Sequence, residues 1–215
     1  MKKFIILFAA IALGATSCDQ PQIRQDQSSV LLAKPKQVNE FRLAVEKGAH
    51  LEERRRQLPA IIAAFSKRTT PQRARRLGTL CYLKTLDTPL MPMDIAEIAL
   101  AETGSHGLSA RAVSSKGAMG VWQLMPSRAR SHGFDPEDMV NDEKCAEAAV
   151  RELLTKIQMA KGNLKRAKKL YCGVGPQANA YEVKRIRFRH EIFQEMMKHQ
   201  SITAENDTYL MLRPS

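Results

Sequence analysis

Apolar residues recur at helical spacing through most of the chain. From about Val38 to Lys67, Phe41, Val45, Leu51, Leu58, Ile61, Ile62 and Phe65 mark one helix, interrupted by the charged run Glu52 to Arg56. Thr69-Thr70-Pro71 breaks the pattern. A second helix is expected over about Gln72 to Lys84, with Arg73, Arg75 and Arg76 outward and Leu77, Leu80, Cys81 and Leu83 partly inward. Two prolines between Thr88 and Pro92 force a restart. There Asp94 and Glu97 have capping-box spacing, and Ile95, Ile98, Ala99 and Glu102 share one face. This predicts Glu102 on the buried stripe, Glu97 pointing away, and Gly104 as the stop.

Four more helices follow: a short one from Pro126 to near Gly133, one capped by Asp142, one capped by Asn163 after Gly162, and a basic one over about Asn179 to His199. Ser201 to Ser215 reads as a tail. No strand pattern is strong, so the fold class expected is all-α.

Composition adds partners. The 215 residues are 44% hydrophobic and 26% charged, which suits a globular domain with a smaller extension. A net charge of +12 implies something anionic. The absence of zinc-finger spacing and aromatic-rich strands argues against nucleic acid. The charged run Glu52 to Arg56 is either a solvated helix face or a patch held against anionic wall or lipid head groups.

Lys2 and Lys3, the apolar run Phe4 to Leu13, and Gly14 to Ser17 before Cys18 make a secretory signal. Ala15-Thr16-Ser17-Cys18 resembles a lipoprotein cleavage box, with Cys18 as the lipidated residue; plain cleavage and an uncleaved anchor are the alternatives. The layout expected is a signal peptide (1–17), a flexible tether (18–37), a basic helical arm (38–85), a catalytic domain (86–200) and a tail (201–215). Of the remaining cysteines, Cys145 and Cys172 form a disulfide, or all three with Cys81 are free thiols. No metal set is visible and no cofactor is expected.

The candidate chemistry centres on Glu102. Burial and the negative end of a helix both disfavour its charged form, which raises its pKa toward roughly 6, as a general acid needs. A structural salt bridge is the plainer reading. Between Glu102 and Asp135 there is no other acidic residue, so the chain between them offers no partner for a two-carboxylate glycosidase. The small residues Gly117, Ala118 and Gly120 allow close backbone approach to a ligand, and Trp122 and Gln123 offer a stacking plate and an amide.

Taken together, Glu102-Thr103, Ala112-Val113-Ser114, Gly117-Ala118-Met119-Gly120 with Gln123, and Tyr171 resemble the motifs of the SLT-type lytic transglycosylases, and Trp122-Gln123, the Pro126 helix with Arg130 and Gly133, and the lipid signal look most like the membrane-bound type D branch. The resemblance covers about Met91 to Ile186. It implies a lysozyme-like helical domain that cuts peptidoglycan glycan strands, with Glu102 catalytic and Ser114, Met119, Gly120, Gln123 and Tyr171 binding or orienting substrate. It further implies a periplasmic enzyme of a Gram-negative bacterium, anchored to the membrane through its lipid and serving an envelope machine. Thr103 replaces the usual Ser, and Cys172 stands where the family has Asn.

Overall fold

A computed structural model describes the backbone of residues 35–211 and the side chains of residues 50–201. The expected signal peptide, the Cys18 lipidation site and most of the tether lie outside these residues. Seven α-helices are present among them: α1 (Pro35–Ser66), α2 (Pro71–Thr85), α3 (Pro92–Thr103), α4 (Pro126–Ser131), α5 (Asp142–Met159), α6 (Leu164–Cys172) and α7 (Pro176–Met211). Two short 3-10 helices, Gly104–His106 and Pro136–Val140, complete the set. No named strand occurs among the described residues, only isolated bridges joining Met119 to Val113 and to Leu124. The fold is all-α, and none of its described helices is long and apolar enough to cross a membrane.

α3 is the axis of the fold. Every one of its residues except Glu102 is buried, with α1, α2 and α7 packed around it. A helix enclosed on all sides has no wet face, so the single-stripe argument fails here. Glu97, expected to point away, is fully buried, and Glu102 is instead the one residue of α3 that reaches toward solvent. The N-terminus also sits earlier than expected. Met91 is the N-cap, and the Asp94 carboxylate accepts from the Met91 N–H at 2.8 Å. At the other end Gly104 stays right-handed (φ −56°). The chain turns left-handed at Gly107 (φ +65°) after the 3-10 turn.

The arm expected over 38–85 is not separate. Ala60, Ile61, Ala64 and Phe65 of α1 and Leu77 and Cys81 of α2 belong to the same core as α3. Arg54, read as part of a solvated run, is buried: it donates to the carbonyls of Thr85, Thr88 and Leu90, closing the α2–α3 connection. Arg73, expected outward, forks onto Asp142 at 2.9 Å per bond and donates to the Leu108 carbonyl. Leu83 is exposed rather than inward. Lys67 and Arg68 pin the end of α1 to Glu195 and Glu191 of α7.

The helix stops at Gly133 and Gly162 and the cap at Asn163 stand where expected. The cap of α5 is Asn141, one residue before Asp142; its side chain accepts from the N–H of Glu143 and Lys144. α7 runs well past His199 into the segment read as a tail, because no Gly or Pro intervenes between Pro176 and Pro214.

Candidate active site

Glu102 ends the buried helix, and α6 and α7 bring side chains to it. Burial pushes its carboxyl up to about 7; the Tyr181 hydroxyl and the Lys184 ammonium oppose this by favouring the charged form. Among the described residues no second carboxylate acts on it. The buried Tyr181 hydroxyl has no completed hydrogen bond, although it approaches the Glu102 carboxylate closely enough to influence it. Tyr181 was absent from the sequence reading. The signal that could have found it is its place on the inward face of α7 with Ala178, Arg185, Phe188 and Ile192.

Tyr171 sits near Glu102 but its hydroxyl is committed elsewhere: it donates to the Trp122 carbonyl at 3.0 Å. The hydroxyl turned toward Glu102 is Tyr181's. Trp122 is not a plate for stacking. It is fully buried, and its indole N–H donates to the Ile95 carbonyl at 3.0 Å, tying the loop to α3. Thr103 makes a parallel tie, its hydroxyl donating to the Val121 carbonyl at 2.8 Å.

The loop between residues 109 and 125 forms one wall of the site. Met119 exchanges backbone hydrogen bonds with Leu124, while the Ser114 N–H donates to the Ala118 carbonyl and the Ser114 carbonyl accepts from the Gly117 N–H. The Ser114 hydroxyl oxygen accepts from the Ala118 N–H at 3.0 Å. Gln123, at φ +51°, donates its side-chain amide to the carbonyls of Gly120 (2.8 Å) and Ala112 (3.1 Å). Ser114, Met119 and Gln123 are thus assembled on one loop, with their polar groups partly spent on its shape.

Gly120 is required by packing. At φ +76°, a Cβ there would overlap the Met139 carbonyl oxygen and come within 2.7 Å of Cys145 Sγ. The same contact explains why no disulfide forms between Cys145 and Cys172: Cys145 is buried beneath Gly120, whereas Cys172 is exposed at the end of α6. Burial raises the Cys172 thiol, and the Glu102 charge raises it further. The loop tip meets the opposite wall where Lys116 donates to Gln177 in the first turn of α7, at 3.5 Å. Among the described residues no cluster of His, Cys, Asp or Glu could hold a metal ion.

A half-buried, proton-holding carboxylate between a short-residue loop and two tyrosine-bearing helices is equipped for acid–base work on an uncharged bond. No curated protein and no solved structure matches the chain. Residues 88–185, which run from the α2–α3 connection into α7, match the family described as Transglycosylase SLT domain. They contain Glu102, the loop wall and both tyrosines, so residues 88–185 are a Transglycosylase SLT domain, the domain of the lytic transglycosylases, which are lyases of peptidoglycan.

Proposed function

We propose that Glu102 alone performs both proton transfers in cleavage of the β-1,4 bond between N-acetylmuramic acid and N-acetylglucosamine. The observation that carries this is a carboxyl held at about 7 by burial with no second carboxylate among the described residues acting on it. Near neutral pH both of its forms are populated, as a group that serves first as acid and then as base requires. Protonated, Glu102 donates to the glycosidic oxygen. The positive charge that develops at the sugar is met by the substrate's own 2-acetamido group rather than by a second protein carboxylate. The ionised Glu102 then takes the proton of the muramic C6 hydroxyl, whose oxygen closes a 1,6-anhydro ring and regenerates the acid.

The Tyr181 hydroxyl stabilises the ionised form between these two steps, and Lys184 supports it through space. Ser114 and the Met119–Gly120 backbone line the groove, with the Gln123 side-chain oxygen facing the sugar while its NH₂ holds the loop. Tyr171 acts through the Trp122 carbonyl to hold that loop against α6. Cys172, in the Asn position of the family motif, presents a protonated thiol to the same groove. Its weaker hydrogen bonding shifts the burden of orientation to Tyr181. Removal of residues 1–17 and lipidation of Cys18 would anchor the enzyme in the periplasm beside the wall it cuts.

Mass spectrometry of a sacculus digest tests the reading. Anhydromuropeptides are expected from the wild type, whereas reducing ends would assign the fold to a hydrolytic muramidase with water as the acceptor. Glu102→Gln should lower the rate on the order of 10²-fold or more. Unchanged digestion by this variant would leave a wall-binding protein without Glu102 catalysis.

A further inference from the structure

A second electrostatic centre lies toward the N-terminus of α3, on the side covered by α6 and α7. Asp94 and Glu97, both buried, meet Lys168 of α6 at 2.5 and 2.6 Å. Arg185 of α7 reaches Glu97 at 2.6 Å, and Arg189 reaches Asp94 at 3.1 Å and Glu97 at 3.2 Å. Three cations thus share two carboxylates. Lys165, one turn before Lys168, adds a fourth cation with no carboxylate partner among the described residues.

Leu164, Lys165, Lys168, Arg185, Ile186 and Arg189 line a cavity of about 300 Å³ on this face. All four cations border it, and no acidic side chain does. Arg185 is almost fully buried, and its Nε–H has no acceptor. A buried guanidinium N–H without an acceptor is rare in folded proteins. Two surplus positive charges and an unmet buried donor call for a ligand with two negative charges and several acceptor oxygens. A phosphate monoester, at about −1.5 to −2 near neutral pH, has that charge. Arginine forks suit its oxygens, and the cavity stands at the small end of ligand sites.

We propose that this cavity binds a phosphate monoester group, at a site separate from the glycan groove and served by Lys165, Arg185 and Arg189. Leu164 and Ile186 would cover the apolar atoms next to the phosphate. The group comes either from a soluble phosphate ester or from a phosphorylated lipid head group.

Isothermal titration of the full chain with inorganic phosphate at fixed ionic strength tests the site. Saturable binding at one site is expected. Lys165→Glu and, separately, Arg185→Lys, which keeps the charge but removes the Nε–H, should each weaken it about tenfold, equivalent to ~1.4 kcal/mol. Arg75→Glu, an exposed change on α2 with the same loss of net charge as Lys165→Glu, should leave it unaltered. Absence of saturable binding, or equal weakening by Lys165→Glu and Arg75→Glu, would overturn the proposal. Sedimentation with phosphatidylcholine vesicles, with and without phosphatidate, separates the sources. Binding that needs phosphatidate and is lost in Lys165→Glu assigns the lipid head group; the same phosphate titration without vesicle binding assigns the soluble ester.

Discussion

Glu102 is held between two opposing demands. It must be buried enough to keep its proton near neutral pH, yet reach a polymer outside the fold. Its position as the only residue of α3 not buried meets both. In the proposed mechanism protonated Glu102 starts the reaction, so kcat/KM should fall as pH rises through about 7. The Tyr181 hydroxyl favours the charged form, so Tyr181→Phe should move that alkaline limb to higher pH and also lower kcat. A limb that stays in place would remove Tyr181 from the carboxylate's environment.

The same burial has a stability consequence. The folded-state pKa is raised above that of the unfolded chain, so the folded protein binds more protons between the two values. Its contribution is most favourable below the unfolded value and is lost as pH rises through about 7. Glu102→Gln should therefore stabilise the protein by about 1–3 kcal/mol at pH 8, with little difference near pH 4. Urea denaturation at the two pH values measures this.

At the scale of elements, α3, α6 and α7 carry Glu102, Tyr171 and Tyr181, and the buried ion cluster fastens the three together. Breaking such a cluster on one side leaves uncompensated charge inside. Glu97→Ala strands Arg185, leaves Lys168 with Asp94 alone, and should cost about 3–5 kcal/mol, read as a drop in urea midpoint without a change in slope. The loop wall depends on the same helices from the other side, through Trp122 on the Ile95 carbonyl and Tyr171 on the Trp122 carbonyl. Its small residues are thus explained by packing as much as by a ligand. Gly120 was legible as necessary in the sequence, but its reason lies in Met139 and Cys145, nineteen and twenty-five positions away.

For the whole molecule, the matched residues 88–185 hold only part of the core they pack into. Phe65, Ile61 and Leu77 lie before them, and Phe188, Ile192 and Met196 after them, all in one apolar cluster with α3. Arg54 and Arg73 add polar ties across the same boundary, to the Leu90 carbonyl and the Asp142 carboxylate. A fragment limited to 88–185 should show no cooperative thermal unfolding by circular dichroism, whereas residues 50–201 should show it.

Local physics in the sequence was enough for the helix punctuation after residue 126, where Pro126, Gly133, Gly162 and Asn163 each act through their own backbone or side chain. It also singled out Glu102, because an acidic residue at the end of an apolar helix with no acidic residue in the thirty-two positions after it stands out in one dimension. What helical periodicity could not decide was which polar groups are inside. Glu97, Arg54 and Arg73 read as solvated because charge is normally exposed; each is buried or half-buried because a partner from a distant element meets it. The identity of the hydroxyl beside Glu102 belongs to the same class. Tyr171 and Tyr181 are equivalent as residues, and only the crossing of α6 and α7 over α3 commits one to a carbonyl and turns the other toward the carboxylate.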